Sequence, residues 1–262
     1  MKLDIHVTAD LTLPQSVPGL LQIEARDIPG AQTVESSELM IEPLAESEPF
    51  TDLYGNPCRR LQMPQGDVRV TYQALVLLPE ERFPMLKPVE ADALHLPTDT
   101  LLYTLPSRYC QSDRLARMAQ DQFGDAPPGW ARVQTICEWI NQHITYRYGT
   151  SDASTSAYDT AAQRIGVCWD FAHLGISFCR ALGIPARYVG GYCLGLEPPD
   201  FHAWFQAFLD GRWVSFDATE RQPRPALIAM AMGRDAADCA WSTFYGAGDT
   251  KSLMVEVAEI AA

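Results

Sequence analysis

The chain of 262 residues has no run of apolar residues long enough to span a bilayer. Its start, Met1 to Asp10, alternates apolar with polar residues and carries early acids, so it lacks the basic, then unbroken apolar, pattern of a secretory leader. Basic residues are scarce, 20 against 33 acidic, for a formal net charge of -13. A field of that sign repels a phosphate backbone, so no nucleic-acid partner is expected. The 7 cysteines are odd in number and scattered, with no C-x-x-C pair, and none of the 5 histidines lies in H-E-x-x-H. Those spacings argue against a disulfide framework and against zinc; no metal or cofactor is expected. The G-x-S-x-G of an α/β serine hydrolase is missing, Gly190-Gly191 lacks a phosphate-loop pattern, and no internal repeat or low-complexity tract occurs. From these absences a cytoplasmic globular protein with no membrane partner is expected.

What is present falls into two stretches. Leu3, Ile5 and Val7 alternate with polar residues, as do Val68, Val70, Tyr72, Ala74 and Val76. Turn residues at Ile28-Pro29-Gly30, Tyr54-Gly55-Asn56-Pro57 and Pro64-Gln65-Gly66-Asp67 separate short strands, which points to an antiparallel β-sandwich over residues 1–97, with a Pro-interrupted linker from Leu78 to Pro97. Residues 98–262 open with helical patterns. Ser112 is placed to cap a helix ending near Phe123 and Gly124, and a second helix opens at Pro127-Pro128 with Trp130, Val133, Cys137, Ile140 and Ile144 on one face. After a polar loop, Gly149 to Ser156, a third helix carries Phe171, Leu174, Phe178 and Leu182 and stops at Gly183. Strand patterns resume at Arg187-Tyr188-Val189 and dominate from Phe201 to Ala218.

Cys168 stands at the start of that third helix, in Gly166-Val167-Cys168-Trp169-Asp170. Unpaired N–H groups at a helix N-terminus favour a thiolate and are placed to hold the oxyanion formed when it attacks a carbonyl. Such a thiol gains most from a histidine with an orienting partner. His173 lies about 140° around the helix from Cys168 and is expected to be structural. His202 opens Phe201 to Leu209, and Asp210-Gly211 then joins it to Arg212 through Asp217, a strong hairpin signal. A two-residue turn sets Leu209 against Arg212, Phe208 against Trp213, Gln206 against Ser215 and Trp204 against Asp217. His202 and Asp217 then share a face as diagonal neighbours, roughly 7–8 Å apart at the α-carbons.

The order Cys168, His202, Asp217, in Gly166-Val167-Cys168-Trp169-Asp170-Phe171-Ala172, Phe201-His202-Ala203-Trp204 and Phe216-Asp217-Ala218-Thr219, resembles the transglutaminase-like core of the papain-like superfamily. The piece Ala181 to Tyr192 is similar to it as well. Asp52-Leu53-Tyr54-Gly55-Asn56 resembles the β-rich amino-terminal domain of bacterial members, and Gly233-Arg234-Asp235-Ala236-Ala237-Asp238 their C-terminal segment. The resemblance implies an α+β papain-like catalytic domain after a β-sandwich. It implies Cys168 as nucleophile, His202 as general base and acid, and Asp217 as orienter. The implied reaction is acyl transfer at a peptide or protein amide, to water or to an amine. The family's side-chain oxyanion donor has no evident counterpart, and Cys239 is expected to be packing. A catalytically silent peptide-binding module with the same fold is the alternative.

Overall fold

Alternation builds the first sheet. In the computed structural model, which describes residues 1–79, 88–220, 224 and 226–260, every odd position from Leu3 to Leu13 of β1 (Lys2–Leu13) is buried. Val68, Val70, Tyr72, Ala74 and Val76 of β6 (Gly66–Leu77) are buried beside them, with Val7 opposite Tyr72 and Leu3 opposite Val76. With β3 (Thr33–Glu42) and β14 (Asp249–Ile260) they form an antiparallel sheet in the order β14-β1-β6-β3. A second sheet runs β13-β2-β5-β4, from β2 (Val17–Leu21), β4 (Ser47–Thr51), β5 (Pro57–Met63) and β13 (Ser242–Phe244). Val17, Leu21, Leu61 and Met63 of that sheet join the same core as the residues of β1 and β6.

The helical part surrounds one buried helix, α4 (Cys168–Ala181). Phe123 of α1 (Ser112–Phe123) and Trp139 of α2 (Trp130–His143) both meet its Phe178, with ring centroids 5.1 and 5.6 Å away. On its other side α4 lies on the sheet β11-β10-β9-β12, made of β9 (Ala186–Cys193), β10 (His202–Leu209), β11 (Arg212–Phe216) and β12 (Leu227–Gly233). The approach is close: a β-carbon on Gly175 would stand 2.5 Å from the Phe205 ring. The whole is α+β, as expected.

Several elements differ from the sequence expectation. Ser112 is the first helical residue, with Gln111 at the cap. α2 starts at Trp130, two residues past the prolines, because Gly129 turns the chain at φ 85°. A short helix, α3 (Ala157–Gln163), was not anticipated, although Ser156 and Asp159 cap it reciprocally. Two-residue strands β7 (Thr145–Tyr146) and β8 (Ile165–Gly166) pair in parallel. Of the expected linker, residues 80–87 lie outside the described residues. β13 and β14, although within residues 98–262, bond to β2 and β1, so the later stretch builds both parts of the molecule.

The two parts are fastened by side-chain amides that imitate a strand. β12 ends its sheet, and its free edge bonds to Gln32 and Asn56. Ala229 N–H donates to Gln32 Oε1 at 2.8 Å, and Gln32 Nε2 donates to Ala229 O at 2.9 Å. Asn56 repeats the pattern at Met232, both bonds 2.8 Å. Asp52 holds Asn56 in place, accepting from its main-chain N–H and from Nδ2 at 2.8 Å each. Arg234 Nε reaches the Tyr54 hydroxyl at 2.9 Å and is paired with Asp238. The two outlying motifs of the sequence, Asp52 to Asn56 and Gly233 to Asp238, are therefore partners.

Candidate active site

The start of α4 is fixed by its own third residue. Asp170 Oδ2 accepts the Val167 N–H at 2.8 Å and the Ser151 hydroxyl, tying the loop before α3 to the helix end. Burial pushes the Asp170 pKa up against those bonds. Gly166 permits the arrangement, since a β-carbon there would lie 2.6 Å from that of Asp170. Cys168 is the first helical residue and is buried. By position its N–H is one of the helix-end donors without a partner inside the helix.

The hairpin forms with the expected register. Leu209 faces Arg212, Phe208 faces Trp213 and Gln206 faces Ser215; Phe205–Phe216 is the last pair, and Asp217 follows it. Asp210 and Gly211 have φ 53° and 76°, the positive values a tight two-residue turn demands. His202 Nε2 donates to Asp217 Oδ2 at 2.7 Å, with both side chains almost fully buried. Asp217 Oδ1 accepts the Thr219 N–H and hydroxyl at 2.9 and 2.7 Å. Sequence reasoning missed Arg224, whose Nε lies 3.3 Å from Asp217 Oδ2 while its guanidinium also pairs with Glu220. It sits in a stretch with no periodic pattern, so nothing local marks it.

The electrostatics follow from burial set against pairing. Burial alone pulls the His202 pKa down, but the bond to Asp217 and the Cys168 side chain outweigh it and raise it to about 9. Burial pushes Asp217 up, and the bond from His202 overcomes that, leaving its carboxyl below the usual range. Cys168 thus acts on the His202 ring, yet Nδ1 is buried without a closed hydrogen bond. Such contacts are often loose until substrate binds. Cys168, His202 and Asp217 are brought together. His173 is not part of the group: it is buried between the Tyr109 and Tyr188 rings, accepts the Ala236 N–H at 3.1 Å, and is held down to about 4 by burial. Cys239 is buried in the core. Among the described residues no group of three or more His, Cys, Asp or Glu is arranged to hold a metal ion.

A helix that presents a thiol at its N-terminus, laid on an antiparallel sheet that carries a bonded His and Asp, is the papain-like α+β arrangement. A family model described as the transglutaminase-like superfamily matches residues 116–218. A solved structure described as a proposed cysteine protease from Cytophaga hutchinsonii is 35% identical, with a TM-score of 0.92, covering 100% of this chain and 91% of that one. Uncharacterised proteins of Mycobacterium leprae and Mycobacterium tuberculosis are each 32% identical over 143 residues. The match takes in 49% of this chain and 50% of the former protein, and 48% and 45% for the latter. The chain spans about half the length of these curated relatives. It belongs to the transglutaminase-like superfamily.

Proposed function

We propose that this protein is a cysteine enzyme that transfers the acyl group of a peptide or protein amide through a thioester on Cys168. In this scheme His202 already holds the proton given up by the thiol when sulfur attacks the carbonyl carbon, and the carbonyl π electrons move to oxygen. The oxyanion then collapses, the C–N bond breaks, and His202 gives its proton to the leaving nitrogen. Water or an amine next attacks the thioester and regenerates the thiol. Asp217 keeps the ring oriented and stabilises its protonated form. With water the enzyme is an amidase or peptidase; with an amine it is a transglutaminase. No cofactor takes part in the scheme.

One observation carries it: the buried 2.7 Å bond between His202 and Asp217, on a ring whose pKa Cys168 also raises. Burying two ionisable groups is costly unless they are paired, and a groove that merely binds peptides has no need of the pair. The Cytophaga structure, described as a proposed cysteine protease, agrees with the scheme. The seven free thiols favour a reducing, cytoplasmic setting.

An electrophilic glutamine-peptide probe should label Cys168, as located by peptide mapping, and the label should vanish in Cys168→Ser. It should form at least about tenfold more slowly in His202→Ala, since general acid–base help is worth about 10²–10⁴. Turnover should survive EDTA. Equal labelling of several cysteines, or no loss of rate in His202→Ala, would favour the silent binding module instead.

A further inference from the structure

Asp217 carries its negative charge in a place that excludes water, with its side chain 2% exposed. Its two oxygens are met differently. Oδ1 takes neutral donors, the Thr219 N–H and hydroxyl at 2.9 and 2.7 Å. Asn141 of α2 steadies that turn from behind, its Nδ2 donating to Thr219 O at 2.9 Å. Oδ2 takes the charges. His202 Nε2 lies 2.7 Å from it and Arg224 Nε 3.3 Å, so the two nitrogens are at most 6.0 Å apart. Arg224 is itself largely covered, and its Nε is buried without a closed hydrogen bond. What it brings to Asp217 is therefore charge. Its other end pairs with Glu220, and the Cys193 thiol of β9 lies beside it.

We propose that Arg224 is a positioning residue for the reaction, holding the Asp217 carboxylate toward His202 and compensating its charge whenever the ring gives up its proton. This rests on the acyl-transfer scheme above. There His202 is a cation when sulfur attacks and neutral once the leaving nitrogen has taken its proton. At that second point a carboxylate with neutral donors alone would be an uncompensated buried charge, which is strongly destabilising. The ring would then keep its proton, and the C–N bond would break slowly. Arg224 prevents this because its charge is permanent. Burial works against that charge, but Cys193, Asp217 and Glu220 outweigh it and raise the guanidinium pKa. The other titratable groups around the pair are Cys168 of α4, Cys137 of α2, Cys193 of β9, Asp200 just before β10, and Glu220. Burial pushes the Cys137 and Cys193 thiols up, which keeps them neutral, and Asp200 and Glu220 are acids. Among the described residues Arg224 is thus the one permanent cation paired with Asp217.

The pH profile of Cys168 alkylation by iodoacetamide reads this role, with the Cys168→Ser rate subtracted. Its lower midpoint marks formation of the thiolate–imidazolium pair, and its upper midpoint marks loss of the His202 proton. Removing a nearby cation makes both groups keep their protons to higher pH. Arg224→Gln and Arg224→Met, two uncharged replacements of similar length, should therefore move both midpoints up, the upper by about one pH unit. Arg224→Lys keeps the charge and should return the midpoints most of the way. Melting temperatures are followed in parallel, since a merely structural role would lower them and cut the rate at every pH without moving the midpoints. Unmoved midpoints in the uncharged variants, or Arg224→Lys behaving as Arg224→Gln, would overturn the proposal. Failure of the underlying scheme looks different: the wild-type protein would show a single midpoint near that of a free thiol, about 8.5.

Discussion

Asp217 stays ionised in a buried place because each of its oxygens is occupied, Oδ1 by Thr219 and Oδ2 by His202 with Arg224 close by. Its effect shows in His202, whose pKa of about 9 lies above the usual imidazole value of about 6.5. Stability drawn from the protonated ring is therefore complete below about pH 6.5 and is lost as pH rises through about 9. Urea unfolding should show greater stability at about pH 6 than at about pH 9.5, and Asp217→Asn should shrink that difference while slowing acylation by up to about 10⁴-fold. An equal pH dependence in both proteins would remove Asp217 from this role. The thiols give a second check. Burial raises the other six, Cys110 to about 12, Cys193 to about 11, and Cys58, Cys137, Cys179 and Cys239 in the same direction. A limiting dose of iodoacetamide near neutral pH should mark Cys168 first; early labelling of any other thiol would contradict this. Cys168, His202 and Asp217 were legible because each lies in a short, strongly patterned stretch. Arg224 was not, because no periodic pattern surrounds it in the sequence and only the fold brings it to Asp217.

Elements were legible where their partner is the next element along the chain. The β10–β11 hairpin is the clearest case, its register set by Asp210-Gly211 and confirmed by the Phe205–Phe216 and Phe208–Trp213 pairs. Those pairs hold the register without the ideal turn, so a turn mutation should cost stability and spare the site. Gly211→Val, forced to φ 76°, should lose about 1–2 kcal/mol in urea titration while Cys168 alkylates at the wild-type rate. A drop in alkylation at unchanged stability would mean that the turn sets the site directly. The capping signal of α3 was in the sequence, Ser156 three residues before Asp159, but a seven-residue helix adds too little periodicity to stand out. β14 was illegible for another reason. Its partner β1 is at the opposite end of the chain, and although Leu253, Val255 and Val257 turn toward the core, the outward positions between and beside them include Met254 and Ala258, which blurs the apolar–polar pattern.

At the scale of the molecule, the chain crosses twice between its two parts. β14 returns to pair with β1 from Lys2 to Thr12, and the amides of Gln32 and Asn56 cap the free edge of β12. A boundary drawn at residue 97 describes the sequence pattern, yet the hydrogen bonds run across it. Tyr192 of β9 also donates its hydroxyl to the carbonyl of Ile23 and packs 6.3 Å from Tyr72 of β6. Parts joined in this way should unfold together. Urea denaturation followed by circular dichroism, which reports the strands and helices, should coincide with exposure of Cys179 deep in α4, read by thiol labelling. Asn56→Ala tests the join. It strips partners from Met232 N–H and O on a buried strand edge, at about 1–3 kcal/mol for each group left unsatisfied. Both probes should move to lower urea by the same amount. The physical reason is that a freed β12 edge loosens the sheet that holds His202, while the Asp52 loop loses its anchor in the same step. If Asn56→Ala instead splits the transition, so that the strand signal melts while Cys179 stays protected, the two parts are independent folding units and the side-chain amides only orient them.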